Sequence, residues 1–585
     1  MGGFFKMFFA SLLALLIFSL LVFFLLFAFV AGIASSEKPV MEKNSVLLLN
    51  LSQPYFEQHV ENPLAGFSSN DDLTIPGVYD VVRLIAKAKN DARVKGIYLT
   101  AGANPNGFAT CEEFRNALLD FKKSGKFIFA YGEIMNQKSY YVVNVAEKIF
   151  MNPKGYFDFM GFRSSLLFLK GTLEKLDIEP QIFYAGKFKS ATEPFRTDKM
   201  TEENRLQTSV WLGDLYAHFL LKTSEAREID TATLHRMAND AVIKTPQDAV
   251  EHKLIDGVKY DDEVRDEIKT KLGLDKYDRI NFITVNRYFK ASNLNKSSAN
   301  RIALIYAQGA IVDGSRDDHY YIASADYIKL IRKARLDRNI KAIVLRVNSG
   351  GGSALASETI WRELSLARKE KPVVVSFGDV AASGGYYISC AADSIFASPL
   401  TITGSIGVFG IIPNLQGFYK NKLGITFDGV KTGPYADLGA LSRPMTEAEK
   451  NIIQQSIDEI YLSFKQRVAE GRKKSVEYID SIAQGRVWSG SRATGIGLVD
   501  KWGGLQDAVE CAARMARLPD YRLREYPEVK SVFDKLFGAS DNTLKTETLR
   551  KELGEEPYKI YKELIRVKEM TNTVQARLPF EVFVE

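Results

Sequence analysis

The chain has 585 residues, 46% of them apolar and 25% charged, which is too long for one ordinary core and too balanced for a polytopic membrane protein or a disordered chain. Its net charge of +6 is spread over interleaved acids and bases, leaving no basic footprint, so nucleic acid is not an expected partner. Three separated cysteines (Cys111, Cys390, Cys511) and five scattered histidines show neither CxxC nor HExxH spacing; a disulfide framework and the common zinc motifs are excluded, and no metal or organic cofactor is expected.

In chain order, the first feature is an uncharged run from Met7 to Ser36. It exceeds the roughly 20 residues needed to cross a bilayer and the short apolar region of a cleavable signal peptide. Residues 1–36 are therefore expected to be a single transmembrane anchor. Lys6 precedes the run, and positive charge tends to stay in the cytoplasm. Glu37, Lys38, Glu42 and Lys43 add no net bias, so the expected placement of the body outside the inner face rests on the N-terminal charge alone.

Beyond the anchor the chain repeats itself. VRLIAKAKNDARVKGIYL (82–99) aligns with IKLIRKARLDRNIKAIVL (328–345), and the same spacing carries AYGEIMNQKSYYVVNVAEKIFMNP (130–153) onto SFGDVAASGGYYISCAADSIFASP (376–399). Such order-preserving similarity marks a tandem duplication, with repeats expected at 37–295 and 296–515. In each, short apolar strands alternate with segments of helical periodicity, which predicts parallel sheets covered by helices and ligands beyond the carboxyl ends of the strands. From 516 to 585 the repeat gives way to an arm, charged and helical in pattern over 528–572, ending in the strand-like QARLPFEVFVE.

Two loops of the second repeat lie where a parallel sheet places its chemistry. Asn348-Ser349-Gly350-Gly351-Gly352-Ser353 follows a strand and opens a helix, where backbone amides favour an anion. It lacks the ending of a nucleotide-binding P-loop and does not read GxGxxG, and a plain tight turn would look the same. Asp379-Val380-Ala381-Ala382-Ser383-Gly384-Gly385-Tyr386-Tyr387 sets one serine among small residues directly after a strand. That serine is either an exposed nucleophile beside the Gly384 amide or a helix N-cap.

Together with Thr401-Ile402-Thr403-Gly404-Ser405-Ile406-Gly407 and Gln484-Gly485-Arg486-Val487-Trp488-Ser489-Gly490, these loops resemble the motif series of the signal peptide peptidase A (protease IV) family, in its long, duplicated form. The usual loop reads NSPGGS; here Gly350 replaces the proline, keeping the glycine pair while loosening the turn. The resemblance implies an α/β fold of two tandem Clp-protease/crotonase-like (ββα superhelix) domains behind one transmembrane helix. It also implies a serine endopeptidase of the bacterial inner membrane with its body on the periplasmic side. The implied substrates are signal-peptide remnants and other unfolded apolar peptides, and the implied assembly is a bowl-like homotetramer.

A serine hydroxyl needs a proton acceptor, and no histidine lies in either signature loop. A lysine can serve if burial lowers its pKa. The family's base lies in a Lys-Ser-Ala-like motif of the first half, here Gly186-Lys187-Phe188-Lys189-Ser190-Ala191. In an extended segment Lys187 and Lys189 share a face, so periodicity leaves both open; the motif match selects Lys189. The resemblance thus implies Ser383 as nucleophile, Lys189 as general base and acid, and Ser405 orienting the lysine. The oxyanion would be held by the amides of Gly384 and of Gly351 or Gly352. In register, Gln137 takes the place of Ser383 in the first repeat and Ala436 that of Lys189 in the second, so each repeat carries half of the pair. Two other readings use the same residues differently: a crotonase-like acyl-CoA enzyme, which would work through a carboxylate, and a non-catalytic membrane scaffold.

Overall fold

The computed structural model describes residues 2–34, 41–61, 74–294, 297–316, 320–529, 554, 570 and 573–578. Helix Gly2–Ala34 contains the apolar window Gly3–Phe24, whose 22 residues span about 33 Å at 1.5 Å per residue, close to the ~30 Å of a bilayer core. None of that window is buried against the body, and among the described residues it is the one helix long and apolar enough to cross a membrane.

The duplication is visible element by element. Helix Val78–Asn90 recurs 246 residues on as Ser324–Leu336, and helix Phe108–Lys122 recurs at the same displacement as Ala354–Arg368. Side-chain ties recur with them. Tyr140 Oη donates to the Leu254 carbonyl and Tyr386 Oη to that of Leu498, both at 2.8 Å. Asp256 accepts from the Ile149 amide as Asp500 does from that of Ile395.

Each repeat builds a sheet. The first is wholly parallel, in the order 257–258, 148–157, 127–135, 94–101, 45–50, 282–284. The second runs 487–489, 402–404, 373–382, 340–349, 301–308, 522–526, and only its 487–489 edge is antiparallel. Central strands are continuous apolar runs because helices cover both faces; Ala342, Ile343, Val344 and Leu345 have no exposed surface. The arm expected from 516 therefore begins with a strand of the second sheet, Arg522–Tyr526, as Phe282–Thr284 closes the first. Most of the charged pattern at 528–572 lies outside the described residues. Of the terminal strand, Gln575–Arg577 is described, and it joins a third sheet ordered 321–323, 310–312, 351–353, 575–577, 408–414, 179–185. The first repeat contributes Glu179–Ala185 to that sheet, antiparallel to Val408–Asn414 of the second.

The repeats are locked by charge as well as by shared strands. Arg346 is fully buried, its Nε 2.7 Å from Glu57 Oε2 and its Nη2 2.5 Å from Glu113 Oε1, while Nη1 donates to Ser376 Oγ and the Phe377 carbonyl. Glu57 also accepts from Asn348 Nδ2 at 2.9 Å. Removing one partner of such a buried pair leaves a charge stranded, at a cost of about 3–5 kcal/mol. Glu57→Ala is accordingly expected to lower the melting temperature of the body, and the double variant Glu57→Ala/Arg346→Met to recover part of the loss. Equal melting of Glu57→Ala and wild type in a thermal scan would contradict this account.

Candidate active site

Strand Val373–Ala382 delivers Ser383 to the start of helix Gly384–Ser389. Ser383 has φ 54° and ψ −116°, a region that L residues rarely adopt and that persists only where the surroundings enforce it. Its amide donates to the Gly404 carbonyl and its carbonyl accepts from the Tyr387 amide, both at 2.8 Å. The helix then runs beside the Asn348 loop; a Cβ on Gly385 would lie 2.5 Å from the Ser349 carbonyl oxygen, so only glycine fits. The N-cap reading of this serine does not hold: Ser383 occupies the cap position without making a side-chain cap bond.

The hydroxyl instead meets the first repeat. Lys189 Nζ lies 2.9 Å from Ser383 Oγ, 3.1 Å from Ser405 Oγ and 3.2 Å from the Ser405 carbonyl oxygen. Ser383 Oγ is also 3.4 Å from the Gly407 carbonyl oxygen. Lys189, Ser383 and Ser405 are all buried. Desolvation holds the Lys189 ammonium well below its ordinary pKa, and its hydrogen-bond partners are uncharged, so nothing offsets the loss of hydration. Lys187 is exposed, with its Nζ 5.4 Å from the centre of the Phe188 ring. The two lysines do not share a face because the segment is not extended: it closes a tight turn in which the Lys189 amide donates to the Gly186 carbonyl at 3.0 Å, with Gly186 at φ 101°.

That turn is built by the second repeat. The Phe188 amide donates to the Gln484 carbonyl, and a Cβ on Gly485 would stand 2.7 Å from Lys189 N. Gln207, buried on helix Glu202–Arg227, donates from Nε2 to the Phe188 carbonyl and Ser190 Oγ, and its Oε1 accepts from the Val487 amide. One amide side chain thus ties the lysine segment to the Gln484–Gly490 motif. Sequence reasoning missed it because a single glutamine on a helix carries no spacing signal.

The Asn348–Ser353 loop faces the serine. Gly351 has φ 94°, and the Gly384 nitrogen lies 2.6 Å from where a Gly351 Cβ would stand. The turn that proline would stiffen is held by Ser349, whose Oγ donates to the Gly309 carbonyl and accepts from the Gly351 amide at 3.1 Å. Gly351 thereby spends its N–H on the turn, while Gly352, the other glycine left open by the sequence, pairs with Ala576 of the terminal strand. Ser353 caps helix Ala354–Arg368 through the Ala356 amide. Asn348 Oδ1 accepts from the Val380 amide, joining the two loops. In the first repeat Gln137 hydrogen-bonds Gly161 with both ends of its amide, and in the second Ala436 is exposed. Ser383 and Lys189 therefore meet within one chain, each supplied by a different repeat.

The expected stability consequence has a definite sign. A lysine whose folded pKa is depressed binds fewer protons folded than unfolded, so its burial costs stability below the unfolded pKa, about 1.4 kcal/mol per unit of depression. Lys189→Met is expected to melt higher than wild type at neutral pH. The difference should shrink as pH rises toward about 10.4, where the unfolded lysine also loses its proton. A Lys189→Met protein that melts lower at pH 7 would contradict the depressed pKa of Lys189.

The sequence model of peptidase family S49 matches the chain twice, over residues 120–275 and 365–518, once in each repeat. The chain is 37% identical to Protease 4 of Salmonella typhi over 492 residues, covering 82% of this chain and 78% of that one. It is 35% identical to the chloroplastic Serine protease SPPA of Arabidopsis thaliana, over 77% of this chain and 67% of that protein. A solved ClpP1 mutant from Listeria monocytogenes overlays 35% of this chain and 94% of its own at 17% identity, with a TM-score of 0.24. The chain belongs to peptidase family S49.

Proposed function

We propose that this protein is a membrane-anchored serine endopeptidase working through a Ser383–Lys189 dyad. One observation carries the reading: a buried lysine whose pKa desolvation holds well below its ordinary value sits 2.9 Å from a strained serine that caps nothing. With the amine neutral, its lone pair faces the hydroxyl proton. Ser383 Oγ attacks the scissile carbonyl while Lys189 takes the proton. The oxyanion develops between the amides of Gly384 and Gly352. The ammonium, steadied by Ser405 Oγ and the Ser405 carbonyl, then protonates the leaving amine, and water resolves the acyl-enzyme by the reverse transfers. No carboxylate is among the hydrogen-bond partners of Lys189 or Ser383 described here, which disfavours the acyl-CoA reading.

The substrates we propose are cleaved signal peptides and other unfolded apolar segments. The apolar helix at the N-terminus would hold the body where such remnants lie, on the periplasmic side of a bacterial inner membrane.

We also propose a homo-oligomer, a homotetramer by the family resemblance, and the duplication indicates its contact. Val380 and Ile402 are paired across adjacent strands of the second repeat and pack on the core of the first. Their counterparts Ile134 and Tyr156, paired in the same way, are 52% and 54% exposed. On the receiving side Ala109 is buried, whereas its counterpart Leu355 is 68% exposed. Repeating the internal joint head to tail would cover both surfaces and close a ring.

In detergent, the full chain is expected to hydrolyse a fluorogenic peptide ester. Ser383→Ala and Lys189→Ala should each lower kcat/KM on the order of 10³-fold or more. On the acid limb kcat/KM should fall tenfold per pH unit as the lysine takes up its proton. Wild-type rates in either variant would sink the dyad. Ile134→Asp should shift the mass measured by light scattering toward smaller species, and an unchanged mass would remove the head-to-tail contact.

A further inference from the structure

Arg486 holds Ser405 by its backbone and leaves its charge unpaired. Its carbonyl accepts from the Ser405 amide at 2.7 Å, and its own amide donates to the Ala483 carbonyl at 2.8 Å. The half-buried guanidinium lies between two rings, 4.3 Å from the centre of Trp488 and 5.0 Å from that of Phe188. Both rings are pinned. Trp488 Nε1 donates to the Ile482 carbonyl, while the Phe188 amide and carbonyl are held by Gln484 and Gln207. Arg486 Nε is buried without a hydrogen-bond partner. Arg83, Arg115 and Arg467 share that condition, yet each bonds an acid or a carbonyl through its other nitrogens. Among the described residues no carboxylate pairs with Arg486; the charge that acts on it is that of Arg492, also positive and itself held by Asp214 at 2.6 Å. The exposed Lys187 flanks the same Phe188 ring, so two cations share one fixed aromatic platform. A guanidinium so held presents its donor fork to a carboxylate from outside the chain.

We infer that Arg486, with Lys187, receives the C-terminal carboxylate of the peptide being cut, and so selects short released fragments over segments inside longer chains. The inference rests on the peptidase reading of Ser383 and Lys189. In that reading Lys189 protonates the leaving amine, which puts the leaving half of the peptide on the lysine's side of the serine. Arg486 lies on that side, since Ser405 bonds Lys189 and Gly485 packs against it. The leaving half is also the half that ends in the peptide's terminal carboxylate. Hydrolysis of a peptide bond leaves a carboxylate on the amino-terminal fragment, so a remnant cut from a precursor carries this group where the uncut precursor has an amide. If Arg486 only packed on its rings, losing it would slow the cutting of every peptide alike.

The test gives the full chain in detergent two internally quenched peptides of one apolar sequence, one ending in a free carboxylate and the other in a carboxamide. Wild type should cut the acid with kcat/KM about tenfold above the amide, as expected for one charge-assisted hydrogen bond. In Arg486→Gln that ratio should fall toward one. Arg486→Lys, which keeps the charge but not the fork, should retain part of it. The ratio is internal to each protein, so a variant of lower overall activity still reports it. A wild type that cuts both peptides equally, or an Arg486→Gln that keeps the tenfold preference, overturns the inference and leaves the dyad standing. A wild type that cuts neither peptide overturns both.

Discussion

The guanidinium of Arg346 has no contact with water, and both carboxylates that meet it, Glu57 and Glu113, come from the other repeat. A charge in that position tolerates no separation of the repeats, because either half alone would hold an uncompensated ion. The same cluster reaches the catalytic loops. Glu57 holds Asn348, Asn348 holds the Val380 amide, and Asp379 accepts from the amide and hydroxyl of Thr110, which opens helix Phe108–Lys122 of the first repeat. The glycine loop and the serine loop are thus fixed relative to the first repeat, which carries the lysine. A polar joint of this kind has directional demands that an apolar seam lacks, and placement to a fraction of an ångström is what a hydrogen-bonded dyad requires.

Lys189 shows the converse economy. Around Arg346 opposite charges are assembled, whereas around Lys189 only hydroxyls and a carbonyl are, and an ammonium is a poor guest there. That deprivation holds the pKa of the amine well below its ordinary value. A carboxylate in the place of Ser405 would stabilise the ammonium and remove it from the role of base proposed for it. The strain at Ser383 belongs to the same arrangement: φ 54° turns the hydroxyl away from its helix and toward the lysine.

The sequence made the repeats, the α/β rhythm, the anchor and the two loops legible, because each is written in local pattern: helical spacing, strand alternation, uncharged length, glycine next to serine. It left Lys187 and Lys189 equivalent, since the choice depends on Gly186 turning the chain against Gln484 and Gly485, nearly 300 residues away. Gln207 and Glu57 left no trace for the same reason. Each is a single polar residue whose partners are distant backbone atoms or side chains of the other repeat, and neither periodicity nor motif records such contacts. The terminal QARLPFEVFVE was legible as strand-like, but an isolated strand does not reveal its neighbours. The position of Gln575–Arg577 between Gly351–Ser353 and Val408–Asn414 emerges only from the third sheet.

Duplication followed by loss explains why that third sheet draws on both repeats. Once the first repeat held Gln137 where the second holds Ser383, its loop closed on itself through Gly161 and could no longer present a nucleophile. The second repeat holds Ala436, an exposed residue, where the first holds Lys189, and so lacks the base proposed here. The proposed dyad then requires strand Glu179–Ala185 of one copy to stay zipped to Val408–Asn414 of the other, because that pairing carries the chain to Gly186 and Lys189. The surplus surfaces follow from the same history: Ile134 and Tyr156 at one end and Leu355 at the other keep the shape of a joint that, within one chain, can form only once.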